Sequence, residues 1–107
     1  MAFNDIDRIA VLNATAEFDR IGRDAFLRKY RFGRARSYFL NLDGKTYDSK
    51  AIVGAAHGYA VTGEGPLRAR DFSGGDATVA ALLQGLGFSV VHRSKSENEE
   101  REFWWVN

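Results

Sequence analysis

Tyr38-Phe-Leu-Asn-Leu-Asp-Gly-Lys-Thr-Tyr-Asp-Ser-Lys50 decides how this chain folds. Two short runs rich in aromatic and β-branched residues flank Asp43-Gly44. That dipeptide suits a type I′ turn, in which both central residues take positive φ. The spacing predicts a β-hairpin with strands 38–42 and 45–47. Asp48 or Ser49 then stands where the cap of a following helix is expected. That helix carries Ala51, Ile52, Ala55, Ala56 and Tyr59 at helical spacing. Its small residues (Ala51, Gly54, Ala55, Ala56, Gly58) predict close packing against another element.

N-terminal to the hairpin the character changes to basic. Residues 20–36 hold seven bases, Arg20, Arg23, Arg28, Lys29, Arg31, Arg34 and Arg36, against one acid, Asp24, while the whole chain is only +1. Charge is therefore sorted along the sequence. Six of the seven bases are arginine, whose planar fork matches phosphate with two parallel hydrogen bonds. Tyr30, Phe32 and Tyr38 are interleaved with them. Basic and aromatic residues in one stretch are the pattern of a nucleic-acid surface. An ordinary solvated helix face is the competing reading.

Upstream, Ile6, Ile9, Ala10, Leu12, Ala16 and Phe18 form an imperfect helical stripe that predicts a helix over about 5–20, with Asn4 or Asp5 as its cap and Gly22 at its end. Arg23–Tyr30 reads as a second short helix, with Gly33 as its terminator. Downstream, residues 61–75 are the longest irregular segment, anchored by Leu67 and Phe72. Asp76 is the expected cap of a helix over 77–86 whose C-cap is Gly87. Residues 88–92 read as a strand, 94–102 as a polar, flexible segment, and Phe103-Trp-Trp-Val106 as a strand-like end able to pair with 88–92. The expected architecture is a single α+β domain over 1–107, about four helices around a short antiparallel sheet.

Composition narrows the function. The chain has 107 residues, enough for one modest core, and no cysteine, which excludes disulfides and thiolate metal sites. No apolar run approaches the roughly 20 residues that span a bilayer. Met1-Ala-Phe-Asn-Asp5 has no signal-peptide character. A bacterial cytoplasmic protein with no membrane partner is expected. His57 and His92 are the only histidines, and no cluster has metal-ligand spacing. Asp43 with Asp48-Ser-Lys50 loosely resembles the carboxylates and lysine of a metal-dependent nuclease. Asp43 falls in the tight turn, however, and helix capping accounts for Asp48. Ser73-Gly-Gly75 opens a helix whose free amides could hold an anion, although capping and turn formation explain those residues as well. No hydrolase constellation, phosphate loop or dinucleotide fingerprint is present. The expectation is a binding module with no catalytic set, no metal and no cofactor.

Several segments together resemble a known family. These are Phe26-Leu-x-Lys29-Tyr30-x-Phe32-Gly33, Tyr47-Asp-Ser-Lys-Ala-Ile-Val-Gly-Ala-Ala-His-Gly-Tyr59, Pro66-Leu67, Asp71-Phe-Ser-Gly-Gly75 and Leu82-Leu-x-x-Leu-Gly-Phe88. They are similar to the N-terminal head domain of ScoMcrA-type, McrA-like HNH restriction endonucleases, over about residues 16–92. The most specific piece is Tyr-x-x-Lys-Ala-Ile-x-Gly-Ala-Ala. The resemblance implies a restriction-system domain that reads modified double-stranded DNA beside a separate C-terminal HNH nuclease domain. The metal-binding histidines and asparagine of that nuclease have no counterpart here. It further implies 5-methyl- or 5-hydroxymethylcytosine as the first candidate mark and backbone phosphorothioate as the second.

Position and chemistry select the candidate contacts. Arg31, Arg34, Arg36, Lys45 and Lys50 would meet phosphates or groove edges. Tyr38, Tyr47, Ser49 and His57 would line a reading surface beside the hairpin, and Arg68 and Arg70 would add a second clamp. The alternative function is a protein-interaction or structural domain that docks a nuclease module through Trp104, Trp105 and the small-residue helix.

Overall fold

The computed structural model describes residues 6–60, 65–72 and 75–92, without the side chains of Arg70 and Asp76. In chain order these form α1 (Arg8–Ile21), α2 (Arg23–Tyr30), β1 (Tyr38–Leu42), β2 (Lys45–Asp48), α3 (Ser49–Ala60), a single 3₁₀ turn (Ala69–Asp71), α4 (Gly75–Gly85) and β3 (Ser89–His92). The arrangement is α+β, with four helices against a three-stranded antiparallel sheet of order β2-β1-β3. Residues 1–5, 61–64, 73–74 and 93–107 lie outside the described residues. So do the expected cap at Asn4 or Asp5, the flexible 94–102 segment, the Phe103–Val106 strand and the Trp104-Trp105 pair.

The hairpin forms as its turn dictates. Asp43 has φ 53° and Gly44 φ 86°, and Leu42 pairs with Lys45 across the turn. The two positive φ values give the turn a twist that matches the flanking strands. β3 joins the other side of β1, with Leu40 opposite Val90 as well as Tyr47. Leu40 and Tyr47 are buried in the main core and Val90 packs against it.

α3 lies at the centre. Ser49 and every residue from Ala51 to His57 are buried, as expected of a helix that is apolar almost all round. α1 covers one flank with Ala10, Val11, Ala14 and Phe18, and α4 contributes Val79 and Leu83. The 65–72 segment packs over α3 where side chains are missing. The Leu67 amide donates to the Gly54 carbonyl at 3.0 Å. A Cβ on Gly54 would sit 2.7 Å from the Phe32 ring and 2.9 Å from the Leu67 carbonyl oxygen. The close packing expected of the small-residue helix is this contact, and Phe72 is buried against Phe32 at a centroid distance of 5.9 Å.

Helix boundaries differ from the expectation at three points. α1 starts at Arg8, capped by the Asp7 side chain, which accepts from the Ala10 amide at 2.9 Å. α2 ends at Arg31, not Gly33. Arg31 adopts the left-handed conformation, φ 61° and ψ 47°, and the Phe32 amide closes the turn onto the Leu27 carbonyl. α4 begins at Gly75, so Asp76 falls inside its first turn rather than at its cap. Gly22, φ 90°, joins α1 to α2 as expected. Gly87 follows α4 at φ 92°, and there the Arg8 guanidinium donates to the Leu86 carbonyl at 2.9 Å and lies over the Phe88 ring.

Candidate nucleic-acid interface

The candidate interface lies where three elements meet: the turn after α2, the start of β1, and the first turn of α3. Asp48 fastens them. It is only 2% exposed, and its carboxylate accepts a two-pronged bond from Arg23, Nε and Nη2 each at 2.8 Å. The same carboxylate accepts the Ala35 amide at 2.8 Å. The hydrogen bond to Asp48 raises the pKa of the Arg23 guanidinium above its ordinary value, against the opposing effect of burial. The capping residue read from sequence is thus a clamp between α2, β2 and the arginine segment. Ser49 completes it from inside, its hydroxyl donating to the Tyr38 carbonyl at 2.9 Å.

On this frame the segment 31–36 alternates anchors with exposed charge. Phe32 is buried and Ala35 is tied to Asp48, while Arg31, Arg34 and Arg36 are exposed. Arg34 bonds Asp24 at 2.9 Å, but both side chains are more than 60% exposed, so solvent screens the pair and it holds Arg34 weakly. Beside the segment is a pocket of about 270 Å³ lined by Phe32, Arg34, Arg36, Tyr38, Ser49 and Lys50, with Asp48 in its wall. Tyr38 stands at its rim with its ring 4.7 Å from that of His92.

The structure therefore brings Arg34, Arg36, Tyr38, Ser49 and Lys50 together, with Arg31 at the neighbouring cap. The remaining candidates lie elsewhere. Lys45 and Tyr47 sit toward the turn end of the hairpin, where both bond Asp19 at the end of α1. Tyr47 is 3% exposed, against Phe18, and burial with the Asp19 bonds pushes its pKa up to about 12. Of the reading surface expected of Tyr38, Tyr47, Ser49 and His57, the pocket is lined by Tyr38 and by Ser49, which is itself buried. Tyr47 and His57 are buried away from it, and His57 faces the Gly65 carbonyl at 2.7 Å from Nδ1, joining α3 to the 65–72 segment. Arg68 is exposed, and its amide donates to Asp71 within the 3₁₀ turn. The Arg70 side chain lies outside the described residues.

The basic block is partly consumed inside the fold. Arg23 serves Asp48, and Lys29 serves Glu17, a carboxylate only 1% exposed on α1. Glu17 also accepts from the Tyr30 and Tyr59 hydroxyls. Burial alone would raise its pKa, but those three hydrogen bonds prevail and lower it. Sequence reading missed this hub. The available signal was position: Glu17 follows Ala10 and Ala14 on the buried side of α1. Among the described residues no three histidine or carboxylate side chains could share a metal ion, and no helix is long and apolar enough to cross a membrane.

The comparisons agree with this architecture. The model of the ScoMcrA-like, N-terminal head domain matches residues 4–92. No curated protein matches the chain. Among solved structures it is similar to "Structure of the Type IV phosphorothioation-dependent restriction endonuclease ScoMcrA", with 36% identity and a TM-score of 0.62. The alignment covers 85% of this chain and 14% of that one. A family match over most of the sequence, with the same fold in a solved relative, means that this chain belongs to the ScoMcrA-like N-terminal head domain family.

Proposed function

We propose that the chain is a non-catalytic double-stranded DNA-binding module of a modification-dependent restriction endonuclease, working in the bacterial cytoplasm beside a linked HNH nuclease domain. One observation carries the reading: three exposed arginines, Arg31, Arg34 and Arg36, displayed by a six-residue segment pinned at Phe32 and Ala35. A fixed backbone loses little freedom when those side chains engage phosphates. The adjoining pocket offers Tyr38 as an aromatic wall and the arginines as donors. Such a wall suits the methyl of 5-methylcytosine, and the polar groups suit 5-hydroxymethylcytosine. A phosphorothioate backbone is the second reading, favoured by the similar solved structure, a phosphorothioation-dependent enzyme.

The test is an electrophoretic shift series on matched duplexes carrying cytosine, 5-methylcytosine, 5-hydroxymethylcytosine or phosphorothioate, each across a salt gradient. Binding should weaken steeply with salt. Each phosphate contact contributes about 0.9 to the log–log slope. Arg34→Ala with Arg36→Ala should flatten that slope by about 2 and weaken binding to every one of the four duplexes. Unchanged binding by the double variant would leave the arginine segment as ordinary surface.

A further inference from the structure

A second pocket lies farther along α3, away from the arginine segment. It measures about 260 Å³ and is lined by Tyr30, Ala55, Gly58, Tyr59 and Pro66. The two pockets take residues from opposite ends of α3, 49–51 and 55–59. At 1.5 Å per residue their centres are roughly 10 Å apart along the helix. The ridge between them is Phe32 against Leu67 over Gly54.

Tyr59 makes this pocket unusual. It is 44% exposed, one of three large apolar side chains so exposed among the described residues. Yet it is not loose, because its hydroxyl is tied to the buried Glu17 carboxylate at 3.0 Å. The tether uses the polar end and leaves the ring at the pocket. Tyr30 is tethered to the same carboxylate oxygen, Glu17 Oε1. Burial and the Glu17 bond both raise the pKa of each phenol, which keeps both hydroxyls as donors. Arg20 is near enough to act on both phenols electrostatically, and Gly58 is overlaid by Pro66. The acid in this cluster is the buried one, already bonded by Lys29, whereas Arg20 is exposed. The site combines a rigid aromatic face, a small-residue floor and a cationic border.

We infer that Tyr59 is a stacking platform for a single nucleobase displaced from its helix, lying next to the duplex held by the arginine segment. Aromatic side chains beside cationic grooves bind unstacked bases through their π faces, and base displacement exposes such a face. The pocket is smaller than the roughly 300–1,000 Å³ that encloses drug-sized ligands, so it takes one flat ring and leaves sugar and phosphate outside, toward Arg20. The inference rests on the DNA-binding reading and adds a base-recognising site to it.

The experiment compares a fully paired duplex with the same duplex carrying one unpaired fluorescent adenine analogue as a bulge. Wild-type protein should bind the bulged duplex on the order of tenfold more tightly and quench the analogue. Tyr59→Leu should abolish both the preference and the quenching while paired-duplex affinity stays unchanged. Tyr59→Phe keeps the ring and should keep the preference, with thermal melts confirming that both variants fold. Bulge preference retained by Tyr59→Leu, or lost equally by Tyr59→Phe, would overturn the platform and leave duplex binding intact. Wild-type protein that binds neither duplex would overturn the DNA-binding reading itself, and the platform with it.

Discussion

Arg31 shows two demands meeting at one residue. Its backbone ends α2 in the left-handed region, φ 61°, which costs an L-residue about 1 kcal/mol relative to glycine. Its side chain is exposed and extends the arginine series. A position chosen only for stability would carry glycine, the usual residue at such a cap. Arg31→Gly should therefore stabilise the fold by about 0.5–1 kcal/mol in urea unfolding while weakening duplex binding and lowering its salt slope by about 1. A variant that is more stable and binds as before would show that Arg31 makes no phosphate contact. The contrast with Gly33 is instructive. Sequence alone suggested the glycine as terminator because glycine relieves the strain. The helix instead stops two residues earlier, where Phe32 can turn into the core.

At the scale of elements, what could be read in advance was local. The Asp43-Gly44 turn fixed the hairpin, Gly22 separated α1 from α2, and the run of small residues announced the packed face of α3, because each signal lies within a few neighbouring positions. The partners of charged side chains were not legible in that way. Asp48 looks like a helix cap from its neighbours, but its carboxylate goes to Arg23 and to the Ala35 amide, one 25 and the other 13 residues away. Tyr47, Ser49 and His57 look like surface polar groups, yet each is buried and bonded to a group that its immediate neighbours in sequence do not reveal. The arginine segment was recognisable by composition, but its division into anchors and displayed charges needed the Asp48 clamp. Gly54 ties this layer together, because only a missing side chain lets Phe32 and Leu67 lie directly on α3. Gly54→Ala would force Phe32 and the Leu67 carbonyl outward. Overpacking of this kind costs about 1–3 kcal/mol, which should appear as a lower urea midpoint, along with weaker DNA binding as Phe32 loosens the adjoining arginines. A Gly54→Ala protein of wild-type stability would mean that the 65–72 segment yields freely.

Over the whole molecule, the acidic and phenolic groups joining helices and hairpin set opposite limits on stability. Glu17 has a folded pKa below its ordinary value, so its contribution is complete above the unfolded carboxylate pKa and is lost as pH falls through the lowered folded value. The phenols work the other way. Tyr47 is raised from 10 to about 12 by burial and by its bonds to Asp19, so its contribution is complete below pH 10 and disappears as pH rises toward 12. Tyr30 and Tyr59 shift in the same direction, both against Glu17. Unfolding free energy should accordingly form a plateau between these limits, with an acid limb governed by α1's contacts to α2 and α3 and an alkaline limb that includes the hairpin's contact to α1. Tyr47→Phe separates them. It removes one partly buried hydrogen-bonded hydroxyl and should lower stability at neutral pH by about 1 kcal/mol. It should also make the fall between pH 10 and 12 shallower and leave the acid limb where it was. Urea unfolding across pH, followed by tyrosine absorbance, measures both. An alkaline limb of unchanged steepness in Tyr47→Phe would assign that limb to the Glu17 cluster, and with it the stability of the Tyr59 pocket rather than of the hairpin.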